Sequence, residues 1–152
     1  MIASSINIKS KEWFFDTRAT HHLSQTTTSL DNIQSYNGND KVTIGNGTQF
    51  PILHTGTKIF QFPFKVFQLK RVLHAPHLAT NLVSVSQFCA DNNTFAEFHP
   101  QFFLVKEQVT KKVLLKGHLE RGLYKFPTNF SSTTGMLSSL NNFSSSNSTI
   151  EL

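Results

Sequence analysis

Along Phe64-Lys65-Val66-Phe67-Gln68-Leu69-Lys70 an apolar residue stands at nearly every second position. That is the period of a β-strand with one wet and one buried face, not of a helix. Runs of the same kind recur at Lys41-Val42-Thr43-Ile44, Thr57-Lys58-Ile59-Phe60, Thr94-Phe95-Ala96-Glu97-Phe98 and Phe102-Phe103-Leu104-Val105. Two more follow at Lys112-Val113-Leu114-Leu115 and Leu123-Tyr124-Lys125-Phe126, and Trp13-Phe14-Phe15 opens the series as a short buried strand. Chain-reversal signals separate them at Gly45-Asn46-Gly47, Gly56, Asp91-Asn92-Asn93, His99-Pro100 and Lys116-Gly117, with Asn46-Gly47 suited to a tight hairpin. Many short strands at this spacing predict an all-β barrel or sandwich. The 15 Phe against 2 Tyr and 1 Trp fit such a core, because phenyl rings need no hydrogen-bond partner when buried. One segment reads otherwise: in Asn81-Leu82-Val83-Ser84-Val85-Ser86-Gln87-Phe88-Cys89-Ala90, Asn81 offers an N-cap and Leu82, Val85, Phe88 and Cys89 share a helical face. One short helix is expected there.

The chain of 152 residues suffices for one domain without disulfides. The sequence divides into a polar leader over residues 1–10, a folded domain over 11–127, and a tail over 128–152. The tail is dominated by Ser, Asn and Thr and carries no charge from 128 to 150, so disorder is expected there. The net charge of +5 comes from 14 basic against 9 acidic residues. Its lysines mostly alternate with apolar residues, as on the wet faces of strands, so a nucleic-acid partner is not expected for this domain. A lone Cys89 excludes an internal disulfide and points to a reducing compartment. The first ten residues lack the apolar core and cleavage site of a secretory signal, and no run is long enough to span a membrane. A cytoplasmic, non-secreted protein without a membrane partner is the expectation.

Candidate chemistry centres on Asp16-Thr17-Arg18-Ala19, directly after Trp13-Phe14-Phe15 and before Thr20-His21-His22. A strand that ends in an Asp-Thr turn is how an aspartic protease presents its carboxylate. Peptide cleavage by carboxylates needs two Asp side chains sharing one proton, one activating water while the other protonates the carbonyl. With one such motif in a domain too small for two lobes, the second Asp must come from a symmetry mate, so activity demands a homodimer. The bland alternative is an Asp that merely opens a turn after a strand.

Other constellations carry less. His21, His22, His74, His77 and Cys89 are potential metal ligands, but no Cys-x-x-Cys accompanies them and Pro76 stiffens the second pair. No metal and no cofactor are expected. Gly45-Asn46-Gly47 leads into another strand candidate, whereas phosphate loops open a helix. Cys89 lies on the apolar face of the expected helix, where a thiol stays protonated.

From Trp13 to Pro127 the chain resembles the protease region of copia-type LTR retrotransposon Pol polyproteins. The family pattern runs Trp-x-x-Asp-Ser/Thr-Gly-Ala-Thr/Ser-His-His, Tyr-x-Gly, Val-x-x-Gly-Asn-Gly, Val-Leu-His-x-Pro, Asn-Leu-x-Ser-Val-x-x-Leu and Gly-Leu-Tyr. Here it stands as Trp13 to His22, Tyr36-Asn37-Gly38, Val42 to Gly47, Val72 to Pro76, Asn81 to Phe88 and Gly122-Leu123-Tyr124. The resemblance implies a retropepsin-like closed β-barrel that dimerises and processes a Gag-Pol polyprotein in association with virus-like particles. It implies Asp16 as the catalytic acid, Thr17 as the residue bracing the two active-site turns, and Arg18 and Ala19 as the rest of each turn. It further implies that the His pair lines the turn, and that either the Gly45-Asn46-Gly47 hairpin or a turn at Gly56 forms the flap over the substrate. The chain departs from the pattern at Arg18, where the family has Gly. Gly suits a tight turn and close approach of backbone, and a cation beside the dyad favours two ionised carboxylates over the one-proton state. An impaired protease is therefore expected. The alternative is a catalytically dead barrel kept as a structural or interaction segment of a degenerate Pol fragment, truncated before its integrase.

Overall fold

The structure is a computed structural model and describes residues 11–128. The leader and the tail from residue 129 lie outside the described residues, so the expectations for them are not addressed. The fold is mostly β, with a ten-stranded sheet, a separate two-stranded sheet and one short helix. Strand β1 (Trp13–Asp16) sits near the middle, pairing parallel with β8 (Asn81–Ser84) and antiparallel with β12 (Leu123–Phe126). On one side follow β2 (His22–Ser24), β7 (Lys65–His74), β6 (His54–Phe62) and the edge strand β3 (Asp31–Ser35). On the other come β11 (Val113–Glu120), β10 (Phe102–Glu107) and the edge strand β9 (Thr94–Phe98).

The two edges β3 and β9 do not pair with each other, so the sheet is not closed into a barrel. It curls instead around one aromatic core. Phe60 of β6 lies 4.8 Å, centroid to centroid, from Phe126 of β12, although four strands separate those two in the sheet. Phe15 meets Phe103 at 4.8 Å, Phe88 at 5.3 Å and Phe126 at 5.6 Å. Each such ring pair adds about 0.5–1.5 kcal/mol beyond the area it buries. The core therefore fixes β1, and with it the residue at its end, Asp16.

The helix α1 (Val85–Asn92) starts three residues later than expected, and its N-cap is Ser84 rather than Asn81. Residues 81–84 are strand because their backbone pairs with β1 in register, Asp16 opposite Ser84. Asn81 ties strand ends together instead, donating to the Glu12 carbonyl at 3.0 Å and accepting from the Gln25 amide at 2.8 Å. At the other end Asn93 closes the helix in the left-handed conformation, φ 54°.

Two glycines expected at turns lie inside strands. Gly56 is in β6, where an added Cβ would press on the Asp31 carbonyl and on Leu30. Gly117 is in β11 under the ring of Phe103, which leaves no room for a side chain. Close approach, not chain reversal, explains both. The reversal between β11 and β12 falls at Arg121-Gly122, φ 53° and 81°, the signs of a type I′ hairpin turn. Gly45-Asn46-Gly47 does turn the chain, joining β4 (Lys41–Thr43) to β5 (Gln49–Pro51) in the two-stranded sheet. Among the described residues no helix is long and apolar enough to cross a membrane.

Candidate functional site

Asp16 ends β1 half-buried, at the point where the chain leaves the sheet. Its Oδ1 accepts the Arg18 backbone amide at 2.8 Å, so the carboxylate closes its own Asx turn. Three residues after Asp16, the Ala19 carbonyl accepts a hydrogen bond from Ser84 Oγ at 2.7 Å. The same hydroxyl caps α1 by accepting the Gln87 amide at 3.3 Å. Ser84 also donates its backbone amide to His22 Nδ1 at 3.0 Å. One fully buried serine thus ties Ala19 and His22, on the far side of the Asp16 turn, to the start of the helix.

His22 is fully buried and, accepting at Nδ1, is the tautomer with its proton on Nε2. Burial lowers its pKa from 6.5 to about 4, aided by His21 and opposed by Asp91. Its Nε2 finds no partner among the described residues. His21 points the other way, exposed, its Nδ1 3.1 Å from the Thr20 hydroxyl.

Asp16, Arg18, Ala19, Thr20 and His21 line one wall of a cleft of about 800 Å³. Thr17 is exposed and lies outside that lining. The same cleft is lined by the start of the β4–β5 hairpin, Lys41 to Gly45, together with Tyr36 and Asp40. Tyr36 donates its hydroxyl to Asp40 Oδ2 at 2.8 Å, and that bond raises the phenol's pKa. The floor is aliphatic, with Leu23, Leu73 and Leu82 from β2, β7 and β8. Of the two flap candidates, the Gly45 hairpin lines the same cleft as the Asp16 turn, while Gly56 is strand.

Arg18 is exposed, and its φ lies outside the left-handed region, which non-glycine residues adopt at Asn32, Asn93, Lys111 and Arg121. The turn within one chain therefore does not draw on glycine's conformational freedom at position 18.

The remaining candidate ligands are scattered. His74 is buried with its Nδ1 2.9 Å from His54 Nδ1 and its Nε2 3.2 Å from the Gln25 carbonyl, whereas His77 is exposed against Phe50. Burial pushes the Cys89 thiol up. Among the described residues no three His, Cys, Asp or Glu side chains gather as metal ligands do.

Sequence reasoning missed Asp40, Arg71 and the role of Ser84. Tyr36 and Ser84 both stood in the quoted motifs, but their partners Asp40 and Ala19 are set by tertiary contact, the second pair 65 residues apart.

Residues 13–95 match the family model described as Pol polyprotein, beta-barrel domain. The chain is 35% identical over 127 residues to the retrovirus-related Pol polyprotein from transposon RE2 of Arabidopsis thaliana, an alignment covering 84% of this chain and 9% of that protein. It is 35% identical over 118 residues to the corresponding polyprotein from transposon RE1 of the same plant, covering 78% of this chain and 8% of that one. The chain thus spans less than a tenth of the length of these relatives. No solved structure matches it.

Proposed function

We propose, from the fact that this chain belongs to the family of Pol polyprotein beta-barrel domains, that it is the copia-type aspartic protease unit of a retrotransposon Pol polyprotein. In this reading it works as a homodimeric endopeptidase whose rate Arg18 holds down. The observation that carries the reading is the Asp16 turn itself: a carboxylate at the end of a buried strand, in a turn held by Ser84, lining a cleft together with a hairpin.

In the chemistry proposed, Asp16 of one copy and Asp16 of a second share one proton. The ionised group removes a proton from water, whose oxygen attacks the scissile carbonyl while the other Asp protonates the carbonyl oxygen. Collapse of the tetrahedral species returns a proton to the leaving nitrogen and restores the pair. Asp40 shares the cleft but is engaged by the Tyr36 hydroxyl, which favours a second copy over Asp40 as the source of the second acid. The exposure of Thr17 and Arg18 suits an approach of two turns across a twofold axis, with Thr17 bracing the pair. In that dimer two Arg18 guanidinium groups crowd the axis and favour the doubly ionised dyad. The β4–β5 hairpin is the flap in this reading. The substrate is then an extended peptide in a Pol precursor, met in the cytoplasm or in a virus-like particle.

Arg18 also favours a second reading, a barrel-like segment that no longer cleaves and serves the polyprotein as a structural unit. The test is cleavage of a peptide library near pH 5, read by mass spectrometry, for the wild-type chain, Arg18→Gly and Arg18→Gly with Asp16→Asn. The protease reading expects slow cleavage by wild type, faster cleavage by Arg18→Gly, and none once Asp16 is replaced. An inert but dimeric Arg18→Gly chain would leave the structural reading.

A further inference from the structure

We propose that the cleft under the β4–β5 hairpin selects peptide segments bearing an acidic side chain beside an aliphatic one, with Lys41 and Arg71 reading the acid. The inference rests on the cleft being a peptide site, as above, but not on cleavage. Its floor and inner walls are aliphatic, with Leu23, Leu73 and Leu82 below and Val42 and Ile52 at the hairpin side. A volume of about 800 Å³ takes an apolar side chain and the backbone that carries it.

The rim has a different chemistry. Arg18, Lys41 and Arg71 stand there, all exposed. Among the described residues none of the three joins an ion pair, whereas Lys106, Arg121 and Lys125 elsewhere are each set against a Glu. The two rim carboxylates are already engaged, Asp16 by the Arg18 amide and Asp40 by the Tyr36 hydroxyl. Arg71, from β7, lines the same cleft as Lys41 and Tyr36. An incoming carboxylate therefore meets three exposed cations that form no ion pair among the described residues. A nucleic-acid strand fits less well. Among the lining residues Tyr36 is the single Phe, Tyr or Trp on which a base can stack, whereas strand-binding grooves offer several such rings.

The experiment is fluorescence anisotropy of labelled hexapeptides Ser-Asn-Leu-Zaa-Leu-Ser, with Zaa Glu, Gln or Lys, titrated with the whole chain at pH 7. The Glu peptide is expected to bind about tenfold more tightly than the Gln peptide, the gain of two or three exposed cations acting together, and to lose that margin in high salt. In Lys41→Gln with Arg71→Gln, both outside the Asp16 turn, the preference should fall to within about twofold. Arg71→Lys, which keeps the charge, should retain most of it. Equal binding of Glu and Gln peptides by wild type overturns the proposal, as does a preference that survives in a folded double variant. A thymidine hexanucleotide binding as tightly as the Glu peptide overturns it in favour of a general anion site. Acid preference with no cleavage by the Arg18→Gly chain leaves this proposal standing and removes the protease reading; cleavage by that chain without acid preference does the reverse.

Discussion

His22 makes the stability of this fold depend on pH in a direction that the structure fixes. Burial holds its pKa at about 4 in the folded chain against 6.5 for a free imidazole. The unfolded chain therefore binds a proton that the folded chain refuses. Stability is complete above 6.5, falls as the pH drops through the interval to about 4, and loses nothing further from this group below that. The gap corresponds to about 3 kcal/mol in full, of which about 2 kcal/mol is already lost at pH 5. For a domain of this size the whole loss is a fall in melting temperature of about 10–15 °C. His22→Asn keeps an acceptor for the Ser84 amide and removes the titration, at the cost of a small cavity. Thermal melts from pH 7.5 to 4 should show the wild type losing about 3 kcal/mol more than His22→Asn over that range, whatever their difference at pH 7.5. Parallel curves for the two proteins would refute the reasoning.

Ser84→Ala removes the helix cap and leaves the Ala19 carbonyl without its donor, so it should cost about 2 kcal/mol in urea unfolding. A loss below about 0.5 kcal/mol would mean that the clamp on the Asp16 turn is ornamental. Gly117→Ala drives a methyl group into the Phe103 ring and to 2.6 Å from the Lys125 carbonyl, and should destabilise by about 2–3 kcal/mol. Near-wild-type melting would show that β11 and β10 are less tightly registered than described. Cys89, half-buried with its thiol pushed up by desolvation, should react with a disulfide reagent at pH 8 at least about tenfold more slowly than in denaturant. Equal rates would contradict the packing of α1.

Much of the sheet was legible because its strands carry their own alternation. The bounds of β9 and β12 were readable to the residue from Thr94–Phe98 and Leu123–Phe126. The strands that escaped notice lack that local signal. β3 is exposed along its whole length, and β2 is three residues beginning with a histidine buried only through its pairing with β7 and β8. β8 read as the first turn of the helix because Asn81 resembles a cap, and its pairing with β1 comes from residues nearly seventy positions away. The open edge between β3 and β9 is likewise a property of distant strands, invisible to periodicity. At the site, the Asp16 turn announced itself by ending an apolar run. The clamp by Ser84 and the cations at Lys41 and Arg71 did not, because neither a buried hydroxyl nor an exposed basic residue marks its partner in sequence.

The proposal that two copies of Asp16 form one catalytic pair is tested most directly by subunit mixing. Arg18→Gly chains are diluted, at constant total concentration, with chains carrying both Arg18→Gly and Asp16→Asn, and the initial rate of peptide cleavage is followed. If each active site takes one Asp16 from each copy, the rate falls as the square of the intact fraction, to about one quarter at equal mixing. A linear fall to about one half would assign the chemistry to a single chain and contradict the account.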